Sequence, residues 1–98
     1  MIELDSKQLA LVTTILKRHL SNCQVYAFGS RVHGSACKYS DLDLVLKSEQ
    51  AIAWKTMDAL KDDFSFSDLP FLVDLLDWHK LSDDFLAAIE AELYSIPM

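Results

Sequence analysis

The chain has 98 residues, 51% of them hydrophobic, and 15 acidic side chains against 9 basic ones give a formal charge of −6. That is one small domain, near the low end of sizes that bury a full core. The scattered basic residues exclude a general nucleic-acid binder, which needs clustered Lys and Arg to neutralise phosphates.

The amino-terminal stretch MIELDSKQL carries neither the basic nor the apolar region of a signal peptide, and no apolar run approaches membrane-spanning length. A cytoplasmic protein is expected, with no membrane association. Cys23 and Cys37 lack C-x-x-C spacing and His19, His33 and His79 are dispersed, so the thiols are expected to be reduced and no zinc site is expected.

Asp5 or Ser6 can cap a first helix, with Gln8 completing a capping box from Asp5. Leu9, Val12, Leu16 and Leu20 follow at helical spacing, and Lys17 and Arg18 suit the negative pole of the helix. Ser21-Asn22 predicts a turn, and Gln24–Phe28 a first strand. After Gly29-Ser30 a short helix or loop leads to Asp41. Leu42–Lys47 is the second predicted strand. A helix is predicted from Glu49 to about Phe64, with Ala53, Met57, Leu60 and Phe64 on one face and Trp54 at its edge. Ser65–Pro70 breaks the pattern, and Phe71–Leu76 is a third strand. A last helix is predicted from about Ser82 to Tyr94, carrying Phe85, Ile89 and Leu93. The order α-β-(short α)-β-α-β-α describes an α/β (α+β) domain spanning 1–98, a small mixed sheet covered by helices.

The chemistry concentrates in Val25–Leu46, VYAFGSRVHGSACKYSDLDLVL, which holds both glycines, Gly29 and Gly34. In Ser40-Asp41-Leu42-Asp43-Leu44 the carboxylates and aliphatics alternate with the period of a half-buried strand, so Asp41 and Asp43 share one face. Two aspartates side by side in a partly dehydrated setting repel unless a cation lies between them. An EF-hand does not fit: counting from Asp41, its glycine position is Leu46 and its closing glutamate position is Ile52. Gly29 follows a strand and has no Cβ, so its backbone can turn sharply or approach a ligand. If a helix begins after it, free N–H groups and the Ser30 hydroxyl form an anion site. A phosphate cradle beside a carboxylate pair suits a nucleoside triphosphate. Asp74 is an aspartate in an aliphatic strand, costly unless paired or bound to metal. Asp77, three positions on, points to the opposite face and is expected to order the strand exit or cap the element after it.

Gly29-Ser30-Arg31, Gly34, Ser40-Asp41 and Asp43 closely resemble the G-S-x-x-x-G…S-D-x-D signature of the DNA polymerase β-like nucleotidyltransferases, and the short length resembles their minimal nucleotidyltransferase branch. The resemblance implies the nucleotidyltransferase fold, with Asp41, Asp43 and Asp74 as catalytic and metal-binding residues. It further implies two Mg²⁺ ions, Mn²⁺ being a substitute. Ser30, beside Gly29, is implied to contact the triphosphate; Arg31 is expected to touch phosphate or to organise the acidic site, and Ser40 to position Asp41 through the local backbone. The implied reaction moves a nucleoside monophosphate from an NTP, ATP being expected, to a hydroxyl acceptor and releases pyrophosphate. The acceptor and part of the nucleotide pocket are implied to come from a HEPN-domain partner in a hetero-oligomer, as in a toxin–antitoxin pair, with a homodimer through the same apolar surface as the fallback. The rival reading is a non-catalytic antitoxin that neutralises its partner by occlusion. Trp54, the last helix and the apolar end Tyr94–Met98 are the surface expected to meet the partner.

Overall fold

Asp5 caps the first helix. Its carboxylate accepts from Gln8 N at 2.7 Å, and the Gln8 side chain accepts from Asp5 N at 3.2 Å, so two amides that a helix start leaves open are satisfied reciprocally. The computed structural model describes residues 2–34, 36–37 and 39–98. Its order is α1 (Ser6–His19), β1 (Gln24–Phe28), α2 (Ser30–His33), β2 (Leu42–Lys47), α3 (Trp54–Ser65), β3 (Val73–Asp77), α4 (Asp83–Ile89) and β4 (Tyr94–Ser95), with single 3-10 turns at Trp78–Lys80 and Glu90–Glu92.

The sheet order is β3-β2-β1-β4. β1 runs antiparallel to β2 and to β4, while β2 and β3 are parallel, the crossover between them being α3. Period-two alternation divides the apolar residues between two faces. Val25, Ala27, Leu42, Leu44, Leu46 and Leu75 join Val12 and Leu16 of α1 and Leu60 and Phe64 of α3 in the main core. Phe28 and Val45 face the other way, against Ile89 of α4 with Leu76, Trp78, Leu81 and Leu93. The sheet is therefore mixed and covered on both faces, as its alternation requires. Asp43 and Asp74, one residue out of phase with the main core, belong to the second face.

Three expectations need correction. The middle helix begins at Trp54, not Glu49. Ile52 is buried and its N–H is committed to Asp77 Oδ2 at 2.8 Å, so residues before Trp54 form a connection tied to the sheet instead of a first helical turn. The third strand begins at Val73. Phe71 is buried before it, and the Leu72 carbonyl already accepts from Leu42 N at 2.9 Å. The last helix stops at Ile89 rather than Tyr94, and Tyr94–Ser95 becomes a fourth strand on the free edge of β1, with Ile96 N donating to Val25 O at 2.9 Å. An unpaired strand edge recruits backbone partners, and Ile96 is only 3% exposed, in the main core. The chain's apolar end is thus largely consumed by its own sheet.

The helices on the main-core face are clamped by charge as well. Asp63 accepts from His19 Nε2 at 2.5 Å and Arg18 Nη1 at 3.1 Å, joining α3 to the end of α1. Hydrogen bonding from His19, ahead of the Arg18 contact, holds its carboxyl below the usual carboxylate range.

Candidate active site

The site is built where β1 and β2 end and β3 runs alongside. Gly29 leaves β1 with φ +83° and ψ −157°, a region that essentially only glycine adopts and that costs a side-chain-bearing residue of order 1–3 kcal/mol. A Cβ at this position would also overlap Asp43 Oδ2. Glycine is therefore required twice over, by the turn and by the carboxylate lying against its backbone. Ser30 follows directly as the first residue of α2, whose Val32 and His33 amides return to the Gly29 carbonyl at 3.0 and 3.1 Å. Gly34, at φ +84°, closes that short helix and donates to Ser30 O.

β2 and β3 bring the carboxylates together. Their parallel register sets Asp43 directly opposite Asp74, and Phe28 lies opposite Asp43 on the other side. Asp43 is pushed up to about 6, first by burial, then by the charge of Asp74 and a hydrogen bond shared with it, with further repulsion from Asp41 and Glu92. Asp41 precedes β2 and is exposed. It lies near enough to repel Asp43. Even so, among the described residues no three His, Cys, Asp or Glu side chains are gathered into a ready cation cage. Beside the pair opens a cleft of about 410 Å³ whose walls include Phe28, Asp43, Asp74, Leu76 and Phe85, with Lys61 at its edge. Phe85 meets Phe28 edge to face, centroids 6.0 Å apart.

Arg31 is buried, at 5% exposure, and its guanidinium lies 3.9 Å from the Phe71 ring centre. It donates to Ser40 O at 2.9 Å, Glu3 O at 2.7 Å and Cys37 O at 3.5 Å. These bonds fasten the segment leading into Asp41, so Arg31 organises the acidic end of β2 from beneath. Ser40 works in the same segment: its hydroxyl accepts from Cys37 N at 2.8 Å. Asp77 is buried on the main-core face and accepts from His79 N at 3.0 Å as well as from Ile52 N, capping the 3-10 turn after β3.

Three contributors carry no local signal in the sequence. Phe28 and Phe85 become walls of the cleft only because α4 folds over the second face. Glu92 reaches the site from the chain's far end: its Oε1 accepts from Gly29 N at 3.2 Å and its Oε2 pairs with His33 Nε2 at 2.5 Å.

The site is thus a glycine-serine turn backed by one aspartate, with a second aspartate in register on the next strand. Residues 11–96 match the family Polymerase beta, Nucleotidyltransferase, and the chain belongs to that family. A Haemophilus influenzae protein named "Probable protein adenylyltransferase MntA" is 51% identical over 84 residues, covering 86% of this chain and 74% of that one. The fold also matches a crystal structure of a toxin–antitoxin with AMP-PNP, with TM-score 0.76 and 19% identity over 91% of this chain and 72% of that one. A structure of a tri-AMPylated Shewanella oneidensis HEPN toxin in complex with its MNT antitoxin matches with TM-score 0.60 and 17% identity, covering 91% of this chain and 68% of that one. The mixed sheet with helices on both faces is therefore the nucleotidyltransferase fold, and the chain is a nucleotidyltransferase.

Proposed function

We propose that the protein is a metal-dependent protein adenylyltransferase that moves AMP from ATP to a hydroxyl group of a HEPN-domain partner and so acts as the antitoxin of the pair. The observation that carries this reading is the register pairing of Asp43 with Asp74 beside the Gly29–Ser30 turn. The relatives' names support the choice of adenylyl group and partner.

The donor set fits a hard divalent cation. It is all oxygen, and Asp43 is raised by burial and by the charge of its neighbour Asp74, repulsion that a bound cation would relieve. Asp41, Asp43 and Asp74 would hold Mg²⁺, or Mn²⁺ in its place, and the metal supplies charge neutralisation on the phosphates and activation of the attacking oxygen. The Gly29 turn and the Ser30 hydroxyl orient the triphosphate, Arg31 and Ser40 acting from beneath by fixing the approach to Asp41. Asp74, exposed at the open cleft, takes the proton from the acceptor hydroxyl. The acceptor oxygen bonds to the α-phosphorus as the bond to the β-phosphate oxygen breaks, and pyrophosphate leaves.

The AMPylated HEPN toxin in the Shewanella oneidensis complex supports a partner that supplies the acceptor and completes the site. The formal charge of −6 favours a partner surface bearing basic groups, and Trp54, 68% exposed, with the exposed Phe66 and Leu72 offers apolar contact area. A stable complex of this kind buries at least about 1,000 Å².

The test combines the purified chain with a HEPN-domain protein as candidate partner, labelled ATP and Mg²⁺. Label should pass to the partner and disappear with Asp43→Asn, while sedimentation shows both proteins in one complex. Neutralisation of the partner by Asp43→Asn at full strength, with no label transferred by the wild type, establishes the occlusion reading instead.

A further inference from the structure

Glu92 lies on the turn that the nucleotide reading assigns to phosphate. β4 pairs antiparallel with β1, Ala27 opposite Tyr94. Two further steps along that register bring Gly29 opposite Glu92, and there the Glu92 carboxylate takes the Gly29 N–H at 3.2 Å and pairs with His33 Nε2 at 2.5 Å. The side chain is 23% exposed, and its backbone is a 3-10 turn between α4 and β4. Downstream, Leu93 packs in the second cluster and Ile96 in the main core. The chain thus carries Glu92 to this position on an anchored strap.

The location is electrostatically poor for an anion in the isolated chain, since Asp43 and Glu92 repel each other. Two donors offset that repulsion, and they are what a phosphate oxygen would use: a backbone N–H at a glycine turn and an imidazole. A carboxylate and a phosphate group cannot both accept from Gly29 N–H in the same place.

We infer that Glu92 is an internal stand-in for a phosphate group of the nucleotide, held by Gly29 and His33 and displaced when the triphosphate binds. This rests on the nucleotide reading given above and adds to it a competitor built into the chain, with His33 as the donor released to the incoming phosphate. An internal competitor lowers apparent affinity by the fraction of molecules in which the site is open. It would keep the turn closed to weakly held anions and open it to a polyphosphate carrying its own divalent cation.

The experiment titrates wild type, Glu92→Ala and Glu92→Gln with Mg²⁺-ATP, Mg²⁺-tripolyphosphate and adenosine. It follows the Gly29 amide by ¹H-¹⁵N NMR, where the two glycines of the chain are readily distinguished. Removing the carboxylate should shift the Gly29 amide before any ligand is added. It should then tighten ATP and tripolyphosphate by about tenfold, as for an internal competitor that occupies about nine molecules in ten, and leave adenosine unchanged. Glu92→Gln preserves the side chain's shape and decides the question should Glu92→Ala unfold. ATP binding equal to or weaker than wild type in the variants overturns the stand-in role alone. Absence of ATP binding in every protein, at millimolar ligand, overturns the nucleotide reading and this inference with it.

Discussion

Asp43 and Asp74 are direct register partners on adjacent parallel strands, with their carboxyls in hydrogen-bonding reach. Sheet pairing places like charges side by side where ordinary cross-strand preferences would avoid them. The arrangement costs stability in the isolated chain, a cost that a bound cation would relieve. This one relationship links the fold to the chemistry and sets the sign of the first prediction.

Asp43→Asn should stabilise the cation-free protein at neutral pH. The Asp43 carboxyl is raised to about 6 in the folded state, above the unfolded value of about 3.9. Between those values the unfolded chain has released its proton while the folded one retains it, so wild-type stability falls as pH rises from about 4 to about 6 and then levels. The asparagine variant lacks this slope. With solvent screening of a half-exposed group, its advantage above pH 7 should be on the order of 1 kcal/mol. Thermal melts in EDTA at pH 4 and pH 7.5 measure it. Added Mg²⁺ should then raise the melting temperature of wild type and leave the variant where it was.

Gly29→Ala should weaken the fold and disturb the site together. The positive φ costs about 1–3 kcal/mol, and the new methyl drives Asp43 from its position. Urea unfolding should show a lower midpoint with an unchanged slope. An unaltered midpoint would mean that the turn relaxes freely and does not hold Asp43.

Arg31→Lys should destabilise the chain despite keeping the charge. Lysine cannot reproduce the planar fork that serves the carbonyls of Glu3, Cys37 and Ser40 while stacking on Phe71. Leaving a buried carbonyl unsatisfied costs about 1–3 kcal/mol, and a loss of about that size is expected in denaturant unfolding. A residue acting only as a phosphate ligand would lower ATP affinity and leave the unfolding midpoint unchanged.

Ile96→Ala should cost about 2–5 kcal/mol, the usual range for emptying a buried isoleucine position, whereas Met98→Ala, at an exposed residue, should cost little. The contrast in melting temperature tests whether the chain's end belongs to the sheet. Equal, small effects would return Tyr94–Met98 to the role of a free apolar tail.

Elements specified by local chemistry were legible in the residues alone. The Asp5 box, the Ser21-Asn22 turn and the bounds of β1 and β2 each depend on neighbours a few residues apart, and all appear as expected. The site was legible to the extent that Gly29, Ser30, Asp41 and Asp43 form one compact motif, and Asp74 stood out as a carboxylate among aliphatics. Features that depend on partners distant in the chain emerged only with the assembled fold. Asp77 takes the Ile52 amide and delays α3. The open edge of β1 ends α4 early and creates β4. Arg31 lies under the motif, bonding to Glu3 O, because the amino-terminal segment passes there. Glu92 meets Gly29 only through the β1–β4 register. Periodicity reports which face a residue prefers; which backbone group will be waiting opposite it is settled when the sheet assembles.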